Sequence, residues 1–199
     1  MEYDDTIFDE LDEGPNDATE RRRMLNDLED QAIEDWQHAD GQSPQWAVLW
    51  YQGVPLAVVT STATWGLEVP VDFALSMGIA DCVTICHPGK VSINTENTLV
   101  LVSPEGMDAM ILVVVTAREP TMRRVVMAAR HDDHWIFERL AAIENGSKEL
   151  FYIDPEVDAA MPGFEPTQRS REDAWEVLET NQERYAYTIG HLTEDCGEC

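Results

Sequence analysis

An unbroken apolar run, Ile111-Leu112-Val113-Val114-Val115, places the strongest constraint on the fold of this chain. Four of its five residues are β-branched, and neither face of the run carries a polar side chain. Such a run is typical of a central strand that is covered on both faces. With 199 residues, of which 44% are hydrophobic, the chain is long enough to bury this core within one domain.

Further runs rich in β-branched and aromatic residues precede this strand. Residues 46–51 and 54–60 flank Gln52-Gly53 and predict a hairpin. Strands are also predicted at 82–87, where Pro88-Gly89 should form a turn, and at 98–102. The connections are too short for parallel crossovers, so we expect a mainly antiparallel sheet of about five strands.

Helical periodicity is found in the sequence before, between and after the predicted strands. An apolar stripe at spacings of three and four residues predicts a first helix from residue 17: Leu25, Leu28, Ala32 and Trp36. A short helix is expected at 71–77, a longer central one over 120–145, and a C-terminal one over 170–190. The predicted fold class is therefore α+β, with N-terminal, central and C-terminal helices packed on the sheet.

Acidic residues are concentrated at the two ends of the chain. The formal net charge is −26, from 39 Asp and Glu against 13 Lys and Arg. The first 20 residues hold nine acids and no base, a composition typical of a solvated arm. We predict an acidic arm over 1–16, a single α+β domain over 17–190, and an acidic tail over 191–199 that carries a C-x-x-C motif.

This charge argues against several classes of function. An acidic surface repels phosphate backbones and anionic lipids, so neither direct nucleic-acid binding nor membrane binding is expected. Because the chain has no long apolar run and no signal-peptide pattern at its acidic N-terminus, we expect a cytoplasmic protein. It also lacks the nucleophile-elbow, Walker A, dinucleotide-binding and zincin motifs, which argues against those enzyme classes.

The arm interleaves acidic and apolar side chains in a helical pattern. Its apolar members fall at i, i+4, i+5 and i+8, which would place them on one face of a helix formed on a partner. The predicted partner-binding residues are Tyr3, Asp4, Asp5, Ile7, Phe8, Asp9, Glu10, Leu11, Asp12 and Glu13. The alternatives are a disordered solubilising tail and a segment docked on its own domain.

Four cysteines form two short-spaced pairs, as in a four-thiolate zinc site: Cys82, Cys86, Cys196 and Cys199. If 82–87 is a strand, however, Cys82 and Cys86 share a face about 13 Å apart, too far to bind one metal ion. The alternative is that these two are small buried hydrophobes and that the terminal pair are exposed thiols.

A second metal alternative lies in the predicted central helix. His131, His134 and Glu138 would share one face of an unbroken helix and could supply three ligands. A helix break in which Asp132 or Asp133 acts as an N-cap would undo that alignment, and we favour the break.

These features favour a non-enzymatic binding protein whose partner is a basic or nucleic-acid-binding protein. The sharpest form of this hypothesis is a DNA mimic or inhibitor, similar in composition to the small acidic antagonists of phages and mobile elements. One alternative is a small metal-dependent enzyme or zinc-stabilised domain. The other is an acidic chaperone or immunity-type protein that binds a basic client through an apolar sheet face.

Overall fold

An antiparallel sheet of eight strands organises the fold. The computed structural model describes residues 18–63, 66–94, 99–102, 106–116, 122–139 and 171–192. Within these ranges the strands are β1 (Gln45–Tyr51), β2 (Val54–Ser61), β3 (Cys82–Asn94), β4 (Leu99–Val102), β5 (Met107–Thr116), β6 (Met122–His131), β7 (His134–Arg139) and β8 (Tyr187–His191). The helices are α1 (Ala18–His38), α2 (Glu68–Ser76), α3 (Arg171–Thr180) and α4 (Gln182–Tyr185).

Seven strands lie in the order β7-β6-β5-β3-β1-β2-β8, and β4 pairs with the C-terminal part of β3. All the pairings between neighbouring strands in the described ranges are antiparallel. The predicted α+β class with a mainly antiparallel sheet is confirmed, and the sheet has more strands than the sequence suggested.

The apolar run of β5 lies in the middle of the sheet, between β3 and β6. Because side chains alternate along a strand, Leu112 and Val114 join the core beneath α1, whereas Val113 joins the core on the opposite face. All three side chains are almost completely buried. The central strand is therefore covered on both faces, as predicted.

The sheet separates α1 from α2 and α3. The predicted apolar stripe of α1, with Met24 added, is buried against one face of the sheet. Phe73 and Ala74 of α2 and Ala174 and Leu178 of α3 are buried in the core on the other face. The protein thus has three layers, with helices on both sides of the sheet. No helix in the described ranges is long and apolar enough to cross a membrane.

The predicted hairpin of β1 and β2 is confirmed. Its two turn residues, Gln52 and Gly53, have φ angles of 51° and 76°. Two successive positive φ angles are the requirement of the two-residue turn whose twist matches that of the flanking strands. Gly53 meets this requirement without strain, because it has no Cβ.

The helix predicted over 120–145 is wrong wherever the structure describes it. Met122–His131 and His134–Arg139 are strands β6 and β7, which pair with each other, and β6 also pairs with β5. Asp132 has a φ of 54° and lies in the hairpin turn, so it is not a helix cap. Nearly every residue from 122 to 128 is buried, so the segment lacks the alternation of buried and exposed residues that marks a half-buried strand. Its apolar residues fit helical spacing as readily as strand spacing. Pairing with β5 then decided the structure.

The predicted C-terminal helix ends earlier than expected. Its last turns are replaced by β8, which pairs with β2 at the edge of the sheet. Ala186, with a φ of 56°, ends α4 in the left-handed region. β-branched Thr188 and Ile189 then favour the extended strand.

The turn predicted at Pro88-Gly89 is also wrong, because β3 continues through both residues opposite Met110 and Ala109. The pairing of β3 with β1 ends at Cys86. Within the section of β3 that is hydrogen-bonded on both edges by β1 and β5, a proline would cost a ladder bond because it has no N–H. Pro88 lies just beyond that section.

Candidate partner-binding site

One face of α1 is acidic and points away from the sheet. Asp27, Asp30 and Glu34 lie at i, i+3 and i+7, which places them in a single stripe along the helix. All three are exposed, and none makes an ion pair or side-chain hydrogen bond with another residue in the described ranges. We call these three residues the acidic stripe of α1. Their carboxylates are accessible to cations of a partner.

An ion triad of two buried residues, Glu29 and Arg124, and the half-exposed Arg139 fixes the rotation of α1 about its axis. Glu29 is 6% exposed, and its carboxylate accepts hydrogen bonds from Arg139, with Nε 3.0 Å from Oε2 and Nη2 2.8 Å from Oε1. Arg124 Nη1 donates to the same carboxylate and, at 2.9 Å, to Asn26 Oδ1. Because Arg124 and Arg139 lie on β6 and β7, Glu29 points inward and the acidic stripe of α1 points outward.

A groove of about 190 Å³ lies between α1 and β1. Trp46, Val48 and Trp50 alternate along β1, so they share the face of the sheet on which α1 packs. Met24 and Leu28 of α1 form the facing apolar wall. Since α1 packs mainly on β3, β5 and β6, Val48 and Trp50 remain only half-buried.

Polar side chains of α1 form the rim of this groove: Glu20, Arg23, Asp27 and Gln31. Arg23 Nη2 lies 3.5 Å from Glu20 Oε1, so these two charges largely compensate each other. Gln31 donates its Nε2 to Asp35 at 3.0 Å, which leaves its Oε1 as an acceptor. Asp27 supplies the remaining negative charge, so the rim offers acceptors on Asp27 and Gln31 beside the Glu20–Arg23 ion pair.

The aromatic wall of the groove is held in position. Trp50 Nε1 donates to Thr84 Oγ1 at 3.0 Å, and Thr84 lies on β3 directly opposite Val48. Trp46 is only 8% exposed and is packed within the core beneath α1. Both indole rings are therefore oriented by the fold itself, which reduces the conformational entropy that a ligand would lose on binding.

A second acidic stripe runs along α3 and α4 at spacings of four, three and four residues: Glu172, Glu176, Glu179 and Glu183. All four side chains are exposed, and Glu179 Oε1 lies 2.9 Å from His191 Nε2. Because α1 and α3 pack on opposite faces of the sheet, a flat partner surface cannot contact both stripes. The two acidic helices are separate surfaces.

A larger cleft, of about 790 Å³, is lined by the ends of β2 and β8 and by α4. Several hydroxyls in its lining are already engaged: the Oγ1 atoms of Thr60 and Thr188 are 2.6 Å apart, and Ser61 Oγ donates to the Ala186 carbonyl at 2.7 Å. These internal bonds leave the cleft fewer free polar atoms than its lining suggests. The groove beside α1 is the better-defined candidate site.

Cys82 and Cys86 are buried in β3, in the core beneath α1. Four residues of strand separate them by about 13 Å, as the sequence predicted. Burial raises the pKa of each thiol to about 12, so both are neutral at physiological pH. This is the behaviour of small buried hydrophobes. Cys196 and Cys199 lie outside the described residues.

The second set of predicted metal ligands does not converge. His131 and His134 are cross-strand partners at the hairpin turn, whereas Glu138 lies four residues further along β7, about 13 Å from His134. Throughout the described residues, no three His, Cys, Asp or Glu side chains are grouped so that they could hold a metal ion.

The predicted partner-binding residues of the arm, between Tyr3 and Glu13, lie outside the described residues. Sequence reasoning missed the groove, although Trp46, Val48 and Trp50 show the strand alternation that puts them on one face. It also missed the Glu29 triad, because no local pattern links α1 to residues about a hundred positions away.

Comparisons of the chain with models of protein families, with curated proteins and with solved structures find no match.

Proposed function

We propose that this protein is a non-enzymatic binding protein that engages a basic protein partner through the acidic stripe of α1. The observation that carries the proposal is the stripe itself, three exposed carboxylates on one helix face with no ion pair among the described residues. The Glu29 triad supports it, because a helix fixed to the sheet presents its charges in a constant geometry. The net charge of −26 attracts basic partners and repels nucleic acid and anionic membranes.

The spacing of the stripe suits a partner surface that normally contacts nucleic acid. A DNA strand carries one charge per about 3.4 Å of its axis. Asp27, Asp30 and Glu34 lie about 4.5 and 6 Å apart along the helix axis, a charge spacing of the same order but somewhat wider. In this form the protein is a DNA mimic or inhibitor of the phage or mobile-element type, and it acts in the cytoplasm.

A charge-neutralised variant with a matched control tests this proposal. The test variant is Asp27→Asn/Asp30→Asn/Glu34→Gln, and the control is Glu172→Gln/Glu176→Gln/Glu183→Gln on the opposite face. Both remove three exposed charges, so they change the net charge equally. Binding of the full chain to a lysine heptapeptide is measured by calorimetry between about 50 and 500 mM salt, a range over which charge-dominated binding falls steeply.

We expect the variant of the acidic stripe to bind the peptide at least about tenfold more weakly, because it loses several ion contacts. The control should lose less than about threefold, since only long-range attraction is reduced. Equal losses in the two variants would mean that the chain acts as an unspecific polyanion, and the proposal would then be overturned.

The groove beside α1 supports a second candidate, an acidic chaperone or immunity-type protein for a basic client. Its aromatic and aliphatic lining on the sheet face would contact apolar residues of such a client. Binding that persists at high salt distinguishes this function from the phosphate mimic. The zinc-dependent alternative is tested by metal analysis of the full chain, which includes Cys196 and Cys199.

A further inference from the structure

We infer that the groove between α1 and β1 is the anchor site for one arginine side chain of the basic partner. This inference rests on the proposed function and names the group that the partner inserts.

The size of the groove matches one large side chain. Its volume of about 190 Å³ exceeds the roughly 150 Å³ of a protein cavity that holds a benzene molecule. It is smaller than the roughly 300 Å³ at which sites for drug-sized molecules begin. A single residue of a docked segment therefore fills it, and the rest of the segment remains on the surface.

The chemistry of the groove selects a side chain that has an apolar stem and a cationic head. Met24, Leu28 and Val48 would contact the methylene groups of the stem. Trp46 and Trp50 both line the groove, so aromatic surface lies within reach of a guanidinium bound there. An aliphatic side chain would gain only the first of these contacts.

The rim supplies the hydrogen-bond acceptors that such a head requires. Asp27 carries an uncompensated carboxylate, and Gln31 Oε1 is an acceptor next to it. Because Glu20 and Arg23 compensate each other, the rim has a net charge of −1, which one guanidinium neutralises. Arginine fits better than lysine, since its planar head both stacks on indole and binds carboxylates through several donors.

The same charges exclude two other occupants. The arm, residues 1–16, holds seven acids and no base, so the acidic stripe beside the groove repels it. A second copy of the chain, with a net charge of −26, is repelled as well. Charge complementarity therefore favours a basic segment of another protein.

Two peptides of equal charge test the assignment. One is the lysine heptapeptide, and the other has a single arginine in place of its central lysine. Their net charges are equal, so their long-range attraction to the protein is the same, and a difference in affinity reports short-range contacts that the variants below assign to the groove. We expect the arginine peptide to bind wild-type protein about five- to tenfold more tightly, as a stacked and partly desolvated guanidinium should. It should also shift the indole Nε1–H resonance of Trp50 in NMR spectra.

A matched pair of variants locates the preference. Asp27→Asn and Asp30→Asn each remove one exposed charge from α1, but only Asp27 lines the groove. We expect Asp27→Asn to abolish the arginine preference and Asp30→Asn to retain it. Trp50→Leu should also abolish the preference, and the NMR spectrum of the variant checks that its fold is intact.

The outcomes separate this inference from the proposed function. If both peptides bind wild-type protein equally well, or if Asp27→Asn retains the preference, the groove is not an arginine site, although binding to the acidic stripe stands. If neither peptide binds, the proposed function and this inference are both overturned.

Discussion

Glu29 on α1 and Arg139 on β7 are 110 positions apart in the chain, yet their side chains meet in a bidentate ion pair, with distances of 2.8 and 3.0 Å. Hydrogen bonds and charge from Glu29 raise the pKa of Arg139. Arg124 completes the contact from β6, and both it and Glu29 are buried. One carboxylate therefore joins the first helix to two neighbouring strands near the edge of the sheet.

Replacing Glu29→Gln should destabilise the protein by about 3 kcal/mol, because it leaves the buried charge of Arg124 without a counter-charge. Chemical denaturation monitored by circular dichroism measures the loss. The control is Glu34→Gln, an exposed position on the same helix that should change stability by less than about 0.5 kcal/mol. Similar values for the two variants would show that the triad contributes little to stability.

The sequence predicted those elements whose periodic pattern has one interpretation. Three such predictions agree with the structure: the apolar stripe of α1, the hairpin at Gln52-Gly53 and the buried run of β5. The segment from Met122 to Arg139 did not, because its apolar residues satisfy helical and strand spacing at once. Only its pairing with β5, a contact between distant segments, decides between them.

The candidate site was predictable only in part. The acidic stripe of α1 follows directly from helical spacing once the buried face is known. The groove depends on where α1 crosses the sheet, and Glu29 sets that position by binding Arg124 and Arg139. In the sequence Glu29 is one acidic residue among many in α1, so nothing local marks it as buried.

Glu68 should make the stability of the protein depend on pH. It is 8% exposed, its Oε1 has no hydrogen bond in the described part of the chain, and burial raises its pKa from 4.5 to about 7. A raised pKa in the folded state means that the contribution of Glu68 to stability is fully present below pH 4.5 and is lost as the pH rises through about 7.

Glu68→Gln, which stays neutral, should therefore be more stable than wild type by roughly 1–2 kcal/mol at alkaline pH, and the difference should shrink towards zero in acid. Denaturation at a series of pH values measures this difference. Glu172→Gln, at an exposed position of α3, is the control and should show no such trend. A difference for Glu68→Gln that stays constant with pH would contradict the burial mechanism.

Cys82 and Cys86 should resist alkylation in the folded protein. Only the thiolate reacts, and a pKa of about 12 leaves almost none of it at pH 8. We expect both residues to react with iodoacetamide at least about 100-fold more slowly in native protein than in denaturant. Timed labelling followed by peptide mass spectrometry gives the two rates. Comparable rates would mean that β3 opens readily.

Gly41 and Gly53 form a matched pair for testing how tightly Trp135 packs against α1. Both have positive φ angles, 81° and 76°. A Cβ on Gly53 would meet nothing within 4 Å, whereas one on Gly41 would lie 3.0 Å from Trp135 Cζ2. Trp135 cannot easily move away, because its ring packs edge-on against Trp36 at 5.6 Å and its Nε1 donates to Asp40 at 3.3 Å.

Gly53→Ala should therefore cost only the backbone strain of a positive φ angle, about 1 kcal/mol. Gly41→Ala should cost about 1–2 kcal/mol more, because the added methyl group also displaces Trp135. Denaturation measures both losses, and near-ultraviolet circular dichroism should change only for Gly41→Ala, since it reports the Trp36–Trp135 contact. In a Trp135→Leu background the extra loss at Gly41 should largely disappear. The prediction is contradicted if the extra loss persists in the Trp135→Leu background, or if Gly41→Ala and Gly53→Ala are equally stable. In either case the contact with Trp135 is not what disfavours a side chain at Gly41.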